Sequence, residues 1–98
     1  MPATEFAGTT YTSVFAFSAT LDLANHTAVV SVDTDVTSTL VKAGDVVIAV
    51  PPATLEGGIA VQGTHTVATG SFKLRTTNPS AGAINPASAS WTFLVLRR

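Results

Sequence analysis

Two histidines and six carboxylates are the side chains of this sequence with the most familiar chemistry. His26 follows Asp22 by four residues, and serines are frequent, so a nucleophile, a base and an orienting carboxylate are all present. Such a triad works only where the three groups meet within hydrogen-bond distance. The chain has no Gly-x-Ser-x-Gly motif, and His26 stands beside Asn25 in a turn-like segment. We therefore predict that His26 is a solvated turn residue, that there is no catalytic site, and that the protein is not an enzyme.

Asp33 and Asp35 are the best candidates for binding a cation. Their spacing of two directs both carboxylates to the same face of a β-strand. Calcium takes about six to eight oxygen ligands, and only Asp45 and scattered hydroxyls are available to complete such a shell. We interpret the pair as part of a solvated strand face. His65 is in phase with apolar neighbours and would need ligands on an adjacent strand, so we predict a packed or interface histidine and no metal site.

The glycines and the one sequon-like triplet do not indicate a cofactor or a modification. Gly57 and Gly58 are not followed by the Lys and Ser or Thr of a phosphate-binding loop, so we predict a tight bend there and no cofactor. Asn25, His26 and Thr27 have the form of an N-glycosylation site. No signal-peptide pattern precedes them, and we interpret the triplet as a chance match.

The composition indicates one small domain with few charges. Only 11% of the 98 residues are charged, whereas about 25% is usual for a soluble domain. With a net charge of −1, copies of the chain repel each other weakly. There is no cysteine for a disulfide, which leaves oligomerisation as a means of stabilising so small a core. We predict a single domain over residues 1–98 with a surface covered by other subunits; a solvated, threonine-rich surface is the alternative.

Nucleic acid and membrane are not expected partners. Phosphate binding needs clustered basic side chains, and the basic residues here are scattered: Lys42, Lys73, Arg75, Arg97 and Arg98. No run of about 18 apolar residues is present to span a bilayer. Because no signal-peptide pattern begins the chain, synthesis and folding in the cytoplasm are expected.

Apolar residues alternate with polar ones along most of the chain, which predicts β-strands. Residues 11–23 and 27–36 are predicted to form an antiparallel hairpin, and Val46–Val50 a strand buried on both faces. Further strands are expected near residues 59–67, 71–77 and 91–96, the last of them central or covered because both its faces are apolar. The predicted fold is all-β, a small antiparallel sandwich or jelly-roll-like barrel of six to eight strands. Residues 1–10, with Phe6, form either an N-terminal arm on a neighbouring subunit or a segment folded back onto the sandwich.

The order of four segments carries a resemblance to a known group. These segments are AGDVV (residues 43–47), PPATLEGGI (51–59), NPSAGAINPAS (78–88) and WTFLVL (91–96). In this order they resemble the small β-sandwich capsid decoration, or cement, proteins of tailed bacteriophages. In that group a Gly-Asp pair precedes an apolar strand, an Asn opens a loop, and an apolar strand closes the domain. The likeness covers about 55 residues, from 43 to 96, and leaves the first strands supported by periodicity alone.

The resemblance implies a structural protein of the virion exterior, made in the cytoplasm of the bacterial host. Its partner would be the major capsid protein, and its assembly a homotrimer seated where capsid subunits meet. Many modest contacts repeated over a shell would then add up by avidity. Aromatic and Arg residues are favoured interface anchors. The predicted interface residues, any of which could instead close the sandwich core, are Phe6, Tyr11, Leu55, Ile59, Ile84, Arg97 and Arg98.

A binding module for carbohydrate or a host surface, as on a phage fibre or in a lectin-like domain, is the alternative function. Such sites usually present exposed aromatic rings beside Asp, Asn or Arg. Beyond its phenylalanines the chain offers only Trp91 and Tyr11. Trp91 is in strand phase with Phe93, which predicts a core position.

Overall fold

A computed structural model describes residues 4–6 and 9–98. Its described residues form eight β-strands and no helix, so none of them lies in a helix that could cross a membrane. The strands are β1 (Thr4–Phe6), β2 (Thr9–Tyr11), β3 (Ser13–Leu21), β4 (Val30–Thr37), β5 (Val46–Val50), β6 (Ala60–Ala68), β7 (Ser71–Asn78) and β8 (Ala89–Arg97). Residues 1–3 and 7–8 of the predicted N-terminal arm lie outside the described residues.

The long strands form two three-stranded antiparallel sheets that pack as a sandwich, which confirms the predicted fold class. One sheet has the order β3-β8-β5 and the other the order β4-β7-β6, while β1 and β2 pair with each other. β8 is central in its sheet, as its two apolar faces predicted. The predicted first hairpin is wrong: β3 pairs with β8, and β4 pairs with β7. Alternation shows which side of a strand faces the core, but it does not identify the neighbouring strand.

The core lies between the two sheets and is centred on aromatic rings. Phe72 meets Phe93 edge to face with ring centroids 5.0 Å apart, and Phe17 lies 5.5 Å from Phe93. Trp91 and Val95 complete the inner side of β8 and are almost fully buried. Aromatic contacts of this kind add about 0.5–1.5 kcal/mol per pair to the effect of burial.

β5 differs from its prediction because only one of its faces is buried. Val47 belongs to the core and Ala49 packs against it, but Val46, Ile48 and Val50 are 38%, 40% and 48% exposed. β5 is an edge strand, and none of the described strands packs over its outer side. The continuous apolar run of β5 is therefore not explained by burial on both faces. Its outward residues form an apolar face that is exposed.

Irregular backbone in β6 changes the phase of His65. The register of β6 against β7 shifts between Val61 and Gly63 and again between His65 and Ala68, and Thr66 has a φ of 54°. A β-bulge adds a residue to one strand and so moves the following side chains to the opposite face. Val61, before the first shift, packs against the core, whereas His65, after it, stands opposite Lys73 on the outer face of the sheet.

Candidate interaction surfaces

The outer face of the β4-β7-β6 sheet carries ion pairs. Arg75 binds both carboxylate oxygens of Asp33, from Nε at 2.8 Å and from Nη2 at 3.0 Å. Nε2 of His65 lies 3.1 Å from Oδ1 of Asp33. The hydrogen bonds from Arg75, with a smaller contribution from the nearby His65 ring, hold the pKa of the Asp33 carboxyl well below its usual range. Nζ of Lys73 donates to one carboxylate oxygen of Asp35, at 2.5 Å.

These ion pairs engage both of the aspartates that were candidates for binding a cation. Each carboxylate faces a basic side chain of β7, since Asp33 is opposite Arg75 and Asp35 is opposite Lys73 in the strand register. Within the described ranges, no group of three or more His, Asp or Glu side chains is placed to hold a metal ion. The face is a charged strand surface exposed to solvent.

The outer face of the β3-β8-β5 sheet, called here the uncharged face, has the opposite character. It consists of the outward residues of three strands, and none of them is charged: Val14, Ala16, Ser18 and Thr20 of β3, Ser90, Thr92, Leu94 and Leu96 of β8, and Val46, Ile48 and Val50 of β5. Ile48 stands opposite Leu94, and Val46 opposite Leu96, so the aliphatic residues are contiguous. The hydroxyl side chains lie toward the other end of the same face.

One end of the sandwich is closed by an ion pair. The Asp45 carboxylate accepts hydrogen bonds from Nε and Nη2 of Arg97, at 3.0 and 2.8 Å, and from the backbone N–H of Lys42 at 2.9 Å. The Arg97 guanidinium also donates to the carbonyl of Leu40 and lies 5.1 Å from the centre of the Phe15 ring. The side chain of Asp45 is 2% exposed. This cluster ties the end of β8 to the turn before β5.

Buried hydrogen bonds hold the long loops together at a second place. The His26 ring is fully buried and contacts the carbonyl of Ala24 and the hydroxyl of Thr76, so the prediction of a solvated turn histidine is wrong. The amide of Asn78, also fully buried, donates to the carbonyl oxygens of His26, Thr27 and Gly82. Backbone hydrogen bonds in both directions join His26 to Ile84, at 2.8 and 2.9 Å. Loop 79–88 is thereby fixed to the segment between β3 and β4.

The loop between β5 and β6 packs against loop 79–88. The Glu56 carboxylate accepts a hydrogen bond of 3.1 Å from the backbone N–H of Ala87. A Cβ atom at Gly58 would overlap the end of the Ile84 side chain, so the glycine allows this close approach. The structure thus brings together the segments 51–59 and 78–88, on which part of the resemblance rests.

The predicted interface residues occupy quite different environments. Tyr11 and Ile59 are buried, Leu55 packs against the core, and Ile84 is half-buried in the loop cluster. Arg97 is held by Asp45, while Arg98 is exposed at the chain end. Phe6 lies in β1, and its side chain is outside the described residues. Their role at an interface stays a prediction, although the buried ones present little surface in the free chain.

Sequence reasoning missed the apolar residues of the uncharged face. The unbroken apolar run that contains Val46, Ile48 and Val50 predicts a strand buried on both faces, whereas these three residues are exposed. The composition nevertheless contains a signal for this face. Charged residues make up only 11% of the chain, which is too few to give both outer faces of a sandwich a charged surface. Asp33, Asp35, Lys73 and Arg75 are concentrated on one outer face, which leaves the other without charge.

The two histidines are in structural environments and not in a nucleophile–base arrangement. Both ring nitrogens of His26 are engaged, and the Thr76 hydroxyl that it contacts is fully buried and inaccessible to substrate. Nδ1 of His65 contacts the hydroxyl of Thr66 at 2.8 Å, and Nε2 faces Asp33. These contacts fix the two rings within the fold.

The chain was compared with family models, curated proteins and solved structures. No family model matches the chain, and neither the curated proteins nor the solved structures gave a match. The class of protein that the structure itself defines is a small two-sheet β-sandwich with one charged and one uncharged outer face.

Proposed function

We propose that this chain is a capsid decoration protein of a tailed bacteriophage, which stabilises the head shell from outside by binding between major capsid subunits. The uncharged face of the β3-β8-β5 sheet is the surface that meets the shell. The charged face of the opposite sheet then points to solvent. The protein acts by contact alone, without a catalytic step.

The observation that supports this proposal is the unequal distribution of charge between the two outer faces. Aliphatic side chains of Val46, Ile48 and Val50 are exposed on one side, while Asp33, Asp35, Lys73 and Arg75 lie on the other. Depletion of charge is a general property of the centres of protein interfaces. With aliphatic side chains at one end and hydroxyl side chains at the other, this face has the uncharged character of a surface that becomes buried against another protein.

The carbohydrate-binding alternative finds less support. Sugar rings usually stack on exposed aromatic side chains, but Trp91 is 1% exposed and Tyr11 is 7% exposed. Phe72 and Phe93 are fully within the core. Of the aromatic side chains that the structure describes, Phe15 and Phe17 alone are half-exposed, and both point into the sandwich. None of them forms a platform on an outer face.

Co-sedimentation with head shells of the phage that encodes the chain tests the proposal. The wild-type protein is expected to sediment with the shells in a saturable amount and to raise the temperature at which they open. Ile48→Lys places a charge among the exposed aliphatic residues of the uncharged face, and we expect it to reduce the bound fraction at least tenfold. Because Ile48 is already 40% exposed, the variant should fold normally, which circular dichroism checks.

The matched control is Thr37→Lys, which adds the same charge at the exposed end of β4 in the other sheet. It should bind shells like the wild type. Absence of wild-type binding would show that the protein does not decorate this shell. Equal binding by Ile48→Lys and the wild type would show that another surface makes the contact.

A further inference from the structure

A cavity of about 260 Å³ opens on the β4-β7-β6 sheet beside the ion pair of Asp33 and Arg75. Residues of β6 and one residue of β7 line it: Gln62, Gly63, Thr64, His65 and Arg75. An amide, an imidazole and a guanidinium therefore border one small space. A concave site with a few converging polar groups is the usual form of a small-ligand site.

The cavity is present because the register of β6 is interrupted beside Arg75. Gly63 stands opposite Arg75, and the shift before it leaves Gln62 without a counterpart on the described part of β7. Gly63 has a φ of 128°, which favours glycine, and a Cβ atom there would meet no described atom within 4 Å. The space that a side chain would occupy next to the guanidinium is thus open. Bulges are frequent beside binding sites, where they redirect side chains.

The Arg75 guanidinium is oriented so that one of its two hydrogen-bonding edges stays available. Nε and Nη2 donate to the two carboxylate oxygens of Asp33, and Nη1 makes no hydrogen bond to any residue that the structure describes. The side chain is 45% exposed, so this edge is accessible. A guanidinium carries five N–H donors in a rigid plane and binds a carboxylate through two parallel hydrogen bonds. Nη1 and the second hydrogen of Nη2 form such a pair of donors.

The imidazole on the other side of the cavity is held in place as well. Nδ1 of His65 contacts the hydroxyl of Thr66 at 2.8 Å, and Nε2 lies 3.1 Å from Oδ1 of Asp33. Thr66 has a φ of 54°, which is unusual for a β-branched residue. Strained backbone of this kind is common at ligand-binding sites. Both irregular positions of β6, at residues 63 and 66, thus contribute to the shape of the cavity.

We propose that this cavity binds a carboxylate group. A carboxylate is planar and presents two oxygens, which match the open edge of Arg75, and the Gln62 amide at the cavity offers further donors. Asp33 compensates the charge of Arg75, and Asp35 compensates that of Lys73. A site with so little net charge favours a singly charged carboxylate over a doubly charged phosphate, which the two aspartates repel more strongly. The site lies beyond the proposed function and does not depend on it.

An NMR titration of the full chain with acetate tests the proposal. At an ionic strength held constant with chloride, we expect saturable shifts of the Gly63 backbone amide and of the side-chain N–H signals of Gln62 and Arg75. A second titration uses glutamate blocked at both ends. Tighter binding of blocked glutamate than of acetate would indicate a protein side chain as the natural ligand, and weaker or equal binding a free carboxylate; both results support a carboxylate site. Blocked glutamine, which lacks the charge, should not bind.

Two variants locate the contact. Arg75→Lys retains the charge but removes the paired donors, so it should weaken acetate binding at least fivefold. Gln62→Leu leaves the ion pair with Asp33 intact and should weaken binding at least twofold. The matched control is Arg98→Lys, the same change at an exposed residue outside the cavity, which should bind acetate like the wild type. Circular dichroism checks that the variants fold.

The proposal would be overturned if acetate caused no saturable shift at the cavity, or if Arg75→Lys bound it as well as the wild type. Tighter binding of inorganic phosphate than of acetate would overturn the assignment to carboxylates. Arg75→Lys should bind shells normally, because Arg75 lies on the sheet opposite the uncharged face. A protein that binds shells but not acetate contradicts only the carboxylate site, and one that binds acetate but not shells contradicts only the decoration function.

Discussion

Nε2 of His26 lies 2.7 Å from the hydroxyl oxygen of Thr76, and both side chains are fully buried. The other ring nitrogen, Nδ1, lies 2.6 Å from the carbonyl oxygen of Ala24. Because a carbonyl oxygen only accepts, Nδ1 carries a proton and donates it, and in the neutral ring Nε2 accepts from the Thr76 hydroxyl. This hydrogen bond connects the segment after β3 in one sheet to β7 in the other.

Replacing Thr76 by Val should therefore destabilise the protein. The substitution retains the shape of the side chain but removes the donor, so Nε2 is left buried without a partner, at a cost of about 1–3 kcal/mol. Urea unfolding followed by tryptophan fluorescence measures the change. Thr77→Val is the matched control, since Thr77 shares its hydrogen bond with Ser31 on the outer face, and it should change stability by less than about 0.5 kcal/mol. Equal losses in the two variants would contradict the role assigned to the His26 contact.

Asn78→Asp should release loop 79–88. The Asn78 amide donates to three backbone carbonyls, and a carboxylate in its place would direct a buried negative charge at these oxygens. An uncompensated buried charge costs about 3–5 kcal/mol. Hydrogen exchange should accelerate at Ile84 and its neighbours. Asn85→Asp, the same chemical change at an exposed position of the loop, should leave both stability and exchange almost unchanged.

Asp45→Asn should lower stability at neutral pH and have little effect in acid. Hydrogen bonds from Arg97 hold the pKa of the Asp45 carboxyl below its ordinary value of 3.8. A lowered pKa in the folded state means that the stabilisation is present above about pH 4 and is lost as the pH falls through the folded value. We expect a loss of about 1–3 kcal/mol at pH 7.

The free energies of unfolding of the wild type and Asp45→Asn should converge as the pH is lowered below 4, as measured by urea titrations at several pH values. Asp22→Asn removes an exposed carboxylate and serves as the control. A difference between the wild type and Asp45→Asn that stays constant across this range would show that the ion pair with Arg97 is not its source.

Phe93→Ala and Phe17→Ala should differ in their effects on stability. Phe93 is fully buried and contacts both other rings of the aromatic cluster, so its truncation should cost about 3–5 kcal/mol. Phe17 is half-buried on the edge strand β3 and should cost clearly less when measured at concentrations where the protein is a monomer. If the two losses are equal under these conditions, β3 is covered in the free chain.

Gly58→Ala and Gly57→Ala test the contact between the two long loops. A Cβ at Gly58 would overlap the Ile84 side chain, whereas a Cβ at Gly57 meets no atom within 4 Å. We expect Gly58→Ala to cost about 1 kcal/mol, because overpacking forces a neighbouring side chain to move. Adding Ile84→Ala should remove this penalty in a double-mutant cycle. Gly57→Ala should not be destabilising, and a coupling energy of zero between positions 58 and 84 would contradict the contact.

How far the sequence predicts the structure can be judged from particular residues. Alternation correctly placed Trp91, in phase with Phe93, in the core, and the two apolar faces of β8 correctly indicated a central strand. The position of His65 differs from the prediction because the bulges in β6 shift the phase, and Gly63 inside the strand, with a φ of 128°, was the sequence signal for the first of them. Asn78 and His26 resembled loop residues because they are polar and border turns. Their burial depends on carbonyls and a hydroxyl supplied by distant segments.

The sequence by itself determined that this protein is all-β, that it has six or more strands, and which side of most strands faces inward. These properties follow from the period of two along each strand, which is a local feature. Only the tertiary structure decided that β3 pairs with β8 instead of β4, that the outer side of β5 is open, and that charge is confined to one of the two outer faces. Strand pairing joins residues that are far apart in the chain, as Ser13 and Arg97 are. These residues become neighbours through the packing of the whole chain. The alternation of apolar and polar residues within each segment does not indicate which strand will be its partner.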